Sequence, residues 1–275
     1  MTAVLLALVS AALFGGMTVA LRLGLRGLGG AGGATLATVL PALAVALVAA
    51  AVQPDVRGAW PFLLTGLLAP GGSQILFTFA VREAGASRTS VMVGGAPLVA
   101  VAIALVGLHE PLRAPLVAGA VGIVAGGVLL ASERERPRHI RRLGLVYAAL
   151  AAALFATRDN LVRALHTHGS PGTAAAATLL AGALAATLWT RRAPTRSELR
   201  RLAPAGVLFG LSYVCLFEAY FRGRVTVVSP LVATESLWGV GLSALLIRQT
   251  EGVGKRLALG ALLVVAGGAL IGATR

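Results

Sequence analysis

Residues Thr2–Leu21 read TAVLLALVSAALFGGMTVAL, 20 positions without a charged side chain. Three further charge-free runs follow before residue 132: Ala59–Val81 over 23 residues, Thr89–Leu108 over 20 and Ala114–Ala131 over 18. An α-helix rises about 1.5 Å per residue, so about 20 residues cross a hydrocarbon core about 30 Å thick. These runs predict an all-α membrane protein. The first run is read as a span rather than a cleaved leader, because no positive residue precedes Arg22 and the apolar stretch exceeds a leader's apolar core.

Composition agrees. Hydrophobic residues make up 57% of the 275 and charged residues 12%, about half the charged share of a soluble domain, about 25%. Mean hydropathy is +0.86. Lys and Arg number 24 against 10 Asp and Glu, a net charge of +14. The positive residues fall mostly between apolar runs, which points to orientation and anchoring at anionic headgroups rather than to nucleic acid. A lone Cys215 excludes an internal disulfide, and its apolar run marks it as packing.

Outward from the first run, the chain reads as about ten spans: 3–21, 33–52, 60–81, 89–108, 114–131, 143–164, 172–190, 203–221, 225–247 and 257–273. Two links stand out as basic, 133–142 and 191–201. The first divides the chain into a half 1–132 and a half 143–275. At an offset of 141, Ala11-Ala-Leu-Phe14 recurs as Ala152-Ala-Leu-Phe155, Arg22 as Arg163 and Glu110 as Glu251. Leu116, Gly119, Ala120 and Gly126-Gly127 also fall on identical residues. One offset serving both ends of a half signals an internal repeat. Five spans per half make the second half enter from the opposite side, so the repeats are expected to be inverted. Gly122-x-x-x-Gly126, Gly206-x-x-x-Gly210 and Gly268-x-x-x-Gly272 place small residues one turn apart. They are read as close packing inside one monomer, with a homodimer contact as the alternative.

The first half carries Ala12-Leu-Phe-Gly-Gly16, Ala96-Pro-Leu98, Leu108-His-Glu-Pro-Leu112, Gly119 and Gly126-Gly127, and the second half Ser229-Pro-Leu231, Thr250-Glu251, Gly260 and Gly267-Gly268. With these motifs the chain resembles the EamA family of the drug/metabolite transporter superfamily. The resemblance implies a ten-helix secondary transporter of the cell membrane, often an exporter of metabolites, amino acids or toxic organic compounds, with both termini on the inner side. Two departures withhold the substrate: no Arg stands near the start of the second span, and Glu235-Ser-Leu237 stands where the first half has Gly94-Gly-Ala96. Charge counting opposes the implied orientation, since 17 of the 24 positive residues fall in the odd-numbered links. We take the orientation that the resemblance implies.

Ionisable groups inside spans carry the functional expectation, since each costs about 2.5–3.5 kcal/mol at a helix centre unless paired or hydrated. Glu235 is mid-span, with no charge within ten residues on either side; it is read as a substrate-cation or proton site. Arg158, Asp159 and Asn160 follow 15 apolar residues. Asp159 is expected to pair with Arg163 at i+4, and Arg158 with Glu235 or Glu218. Glu218, near Tyr213, is a candidate that also fits an interfacial pair with Arg222. Pro70-Gly-Gly-Ser73-Gln74 joins a helix breaker to two polar side chains, either a cavity-lining break or a simple kink. Trp238, one turn from Glu235, offers a cation–π face or core packing, while Trp60 and Trp189 sit at span ends. Glu110 and Glu251 are read as holding links. His109, His139, His166 and His168 form no metal spacing, and there is neither a phosphate-binding loop nor a nucleophile elbow. No enzyme, metal or cofactor is expected; the partners are a small solute, lipid and a coupling proton. A non-transporting scaffold or receptor and a lipid flippase are the alternatives.

Overall fold

The structure is a computed structural model, which describes residues 2–28, 32–56, 58–108, 114–131, 141–167, 169–247 and 254–272. Glu110, Glu251, His109, His139, His168 and the run 133–140 lie outside them. The helices in chain order are α1 (Thr2–Leu25), α2 (Gly32–Val52), α3 (Trp60–Gly66), α4 (Ser73–Ala84), α5 (Ala86–Val93), α6 (Ala96–Leu108), α7 (Ala114–Ala131), α8 (Leu143–Ala164), α9 (Pro171–Thr190), α10 (Arg196–Arg222), α11 (Val225–Val232), α12 (Glu235–Leu246) and α13 (Lys255–Gly272). No strand occurs among the described residues. Among the described residues, six stretches are long and apolar enough to cross a membrane: α1, 33–52 within α2, the run from α3 through α4, α8, α9 and α10.

Several expected spans are not simple rods. Between α3 and α4, Ala69 is extended (φ −146°, ψ 116°), so Pro70 breaks the helix. The proline ring is seated on Gly182 of α9, where a Cβ would overlap it. The fourth span divides into α5 and α6 at Gly94-Gly95, and the ninth into α11 and α12 at Ala233-Thr234. The eighth starts earlier than hydropathy suggests. Thr195 accepts from the Glu198 amide at 3.2 Å and Glu198 accepts from the Thr195 amide at 2.8 Å. This capping box draws Arg196–Arg201, read from sequence as link, into α10.

The helices pack through small residues, as lipid requires. A Cβ on Gly206 would lie 2.5 Å from the Thr38 carbonyl oxygen, and one on Gly210 would lie 2.7 Å from that of Ala42. Gly126 abuts Gly260, and Gly267 abuts Gly119. The expected packing role of these glycines within the monomer is therefore seen at α2–α10 and α7–α13. Leu47, Val48, Leu184 and Leu245 are exposed, as are Trp60 and Trp189 at span ends; this is the lipid-facing surface.

The contacts come in pairs exchanged between the halves. α1 packs on α10 and α8 on α4; α1 packs on α12 and α8 on α6; α2 meets α9, and α7 meets α13. Phe14 and Phe155, equivalent positions, touch edge-to-face at 5.8 Å. One end of the bundle gathers the end of α1, the end of α4 and the starts of α8 and α10. There Arg22 reaches the Arg82 carbonyl at 2.7 Å, the Arg141 amide the Glu83 carbonyl at 2.7 Å, and Arg201 the Arg26 carbonyl at 2.7 Å. At the other end the start of α1 meets the end of α10, with Gly223 against Ala3. α1 and α8 thus run in opposite directions. We call the first the basic end.

Candidate functional site

A cavity opens where the two broken spans face α1, α8 and α10. Its lining includes Ser10 and Phe14, Val93, Ala96 and Pro97, Phe155, Arg158 and Asp159, Ser212 and Tyr213, and Ser229, Ala233 and Glu235. The enclosed space is small: about 30 Å³ is open to the centre of a water-sized sphere, room for about two waters.

Each break delivers a helix start to the cavity wall. Ala96 begins α6 and Glu235 begins α12. α5 and α11 are eight residues each, followed by a two-residue turn. The register between halves here is therefore 139, not the 141 of the ends, and Glu235 corresponds to Ala96 rather than to Gly94. Glu235 is 4% exposed, and it has no ion-pair or hydrogen-bond partner among the described residues.

Arg158 and Asp159 pair with each other, Nε to Oδ1 at 2.7 Å, both almost fully buried. Arg158 also lies over the Tyr213 ring at 4.7 Å and the Phe155 ring at 5.5 Å. Aromatic faces thus take part of a cation that lipid would reject. Its Nη1 is buried without a hydrogen-bond partner among the described residues. Asp159 accepts from the Tyr220 hydroxyl at 2.8 Å. Two sequence expectations change here. Asp159 does not pair with Arg163, because Arg163 donates to the Tyr220 carbonyl at 3.0 Å. Arg158 finds its partner in its chain neighbour, not in Glu235 or Glu218.

Of the sequence candidates, the structure brings Glu235, Arg158, Asp159 and Tyr213 together. Asn160 turns back to the Ala156 carbonyl at 2.9 Å on its own helix. Glu218 pairs with Arg222 at 2.6 Å in a partly exposed i,i+4 bridge. Trp238 is 49% exposed, its stem against Gly15. Ser73 and Gln74 are fully buried away from the cavity lining. Ser10, Ser212 and Tyr220 were not singled out from sequence as site residues. Ser10 Oγ donates to the Ser212 carbonyl at 2.9 Å and Ser212 Oγ to the Ser10 carbonyl at 3.0 Å, locking α1 to α10 beside the cavity. A lone serine in an apolar helix gives no signal of its own; only the packing of α1 on α10 pairs them.

The opposite charges of Arg158 and Asp159 cancel, leaving one carboxyl unmatched in a cavity with aromatic and hydroxyl walls. As it stands the space admits only water, and its walls offer charged, hydroxyl and aromatic contacts to a guest. Among solved structures, one described as "Crystal structure of protein" superposes with a TM-score of 0.71 at 22% identity, covering 98% of this chain and 95% of that one; at that identity the likeness is one of fold. No protein of curated function matches the chain. The sequence matches the EamA-like transporter family twice, over residues 1–132 and 142–273, and the chain belongs to that family of membrane transporters.

Proposed function

We propose that the protein is a ten-span secondary transporter of the cell membrane that exports small organic solutes by alternating access between two inverted five-helix repeats, 1–132 and 143–275, joined by the basic linker 133–142. The exchanged packing pairs and the opposed directions of α1 and α8 support the inverted arrangement. The observation that carries the function is Glu235: a buried carboxyl without a cationic partner, at the start of a half-helix, in a cavity between the halves. Intramembrane acids are functional by default, and half-helices meeting at a midplane cavity are a transporter device. A cationic or amine-bearing solute and a proton compete for this carboxyl, so protons entering drive the solute out. Arg158, Asp159 and Tyr213 form the opposite wall and orient the solute.

The test is uptake by proteoliposomes of a panel of amino acids and organic cations, with and without an imposed pH gradient. Gradient-dependent movement of at least one solute is expected. A scaffold would move none of them, and a flippase would move labelled lipid instead.

A further inference from the structure

Ser73 and Gln74 are fully buried, yet Ser73 Oγ, Gln74 Nε2 and Gln74 Oε1 have no hydrogen-bond partner among the described residues. Three orphaned polar atoms in two adjacent residues are costly, and the cavity described above does not use them. Their positions in the two halves explain the placement. Arg22 donates to the carbonyls of Val81 and Arg82, while Arg163 donates to those of Tyr220 and Phe221. These bonds fix a register of 139 along α4 and α10, and in that register Ser73 corresponds to Ser212 and Gln74 to Tyr213. Both counterparts line the cavity.

The partners of those counterparts have no equivalent. Ser10, which holds Ser212, corresponds to Ala151; Arg158, under Tyr213, corresponds to Met17. Ser73 and Gln74 thus occupy the positions of a binding surface without the groups that would satisfy it at rest. They lie in the half of the bundle toward the basic end, whereas Ser212 and Tyr213 lie toward the other end.

We infer that Ser73 and Gln74 form the second half of the solute site, closed in this conformation and opened to water at the basic end when the protein faces the other way. This rests on the alternating-access reading above. The chemistry of the two halves differs. Toward one end the solute meets the charges of Arg158, Asp159 and Glu235. Toward the basic end it meets a neutral amide and a hydroxyl, which hydrogen-bond a carbonyl, hydroxyl or amine without holding it by charge.

The test is thiol accessibility in a Cys215→Ser background. Ser73→Cys and Ser212→Cys are treated with the impermeant cation 2-(trimethylammonium)ethyl methanethiosulfonate on one side at a time, with buried Ala186→Cys as the reference. Ser73→Cys should react from the basic end only, at least tenfold faster than Ala186→Cys, and Ser212→Cys from the opposite end only. Gln74→Leu should melt no lower than the wild type yet lose at least tenfold in solute exchange. If Ser212→Cys reacts and Ser73→Cys does not, the inference is overturned and the cavity stands. If neither reacts, the inference falls together with the transport reading. Wild-type exchange by Gln74→Leu also overturns it.

Discussion

Arg22 and Arg163, 141 positions apart, do the same job in the two halves. Each stands near the end of the first helix of its half and donates to carbonyls in the last turn of α4 or α10, Val81 and Arg82 in one case, Tyr220 and Phe221 in the other. They lie in the last turn, where carbonyls run short of backbone partners, although Val81 also accepts from the Gly85 amide at 3.1 Å; a cation there also meets the negative end of the helix dipole. Arg22→Met and Arg163→Met should therefore destabilise alike, each by about 1.5–3 kcal/mol, the range for hydrogen bonds from a charged group. Thermal unfolding in detergent checks this. A loss confined to one arginine would break the equivalence.

The Arg158–Asp159 pair should be far costlier to halve than to delete. Asp159→Asn leaves a buried cation uncompensated and should cost about 3–5 kcal/mol. Arg158→Met combined with Asp159→Leu should recover most of that stability without recovering transport. The double variant's melting temperature, read beside its solute exchange, separates the two effects.

Close helix packing makes a paired prediction at two glycines. A Cβ at Gly210 would lie 2.7 Å from the Ala42 carbonyl, whereas one at Gly241 meets nothing within 4 Å. Gly210→Ala should cost about 1–3 kcal/mol through overpacking. Gly241→Ala should gain about 0.5–1 kcal/mol from helix propensity. Equal melting temperatures for the two variants would contradict the packing.

The capping box at the start of α10 should show in stability alone. Thr195→Ala removes an acceptor from the Glu198 amide and should cost about 1 kcal/mol, with exchange unchanged. Reduced exchange in a variant that melts normally would place this end of α10 in the transport cycle.

The all-helical membrane character, the family and the repeat were legible from sequence, because lipid demands long apolar runs and two copies in register are hard to hide. The identity of Arg22 with Arg163 already carried the symmetry. What the sequence concealed was local. The turns Gly94-Gly95 and Ala233-Thr234 lie inside apolar runs that read as continuous. The two-residue change of register between the outer spans and the middle spans of each half set Glu235 opposite the wrong position. The i,i+4 rule joined Asp159 to Arg163, but it could not see that Tyr220 and the carbonyls at the end of α10 compete for both. Trp238, three residues past the helix start, turns away from the cavity although its neighbour Glu235 lines it. Ser10 and Ser212 meet only because α1 crosses α10, a contact between residues 202 positions apart.

Glu235 decides the account. In proteoliposomes carrying the Glu235→Gln variant, pH-gradient-driven uptake of a solute that the wild type moves should fall at least tenfold, with the melting temperature within a few degrees of the wild type. Wild-type gradient-driven uptake by a folded Glu235→Gln protein would contradict both the proton site and the placement of the solute beside it.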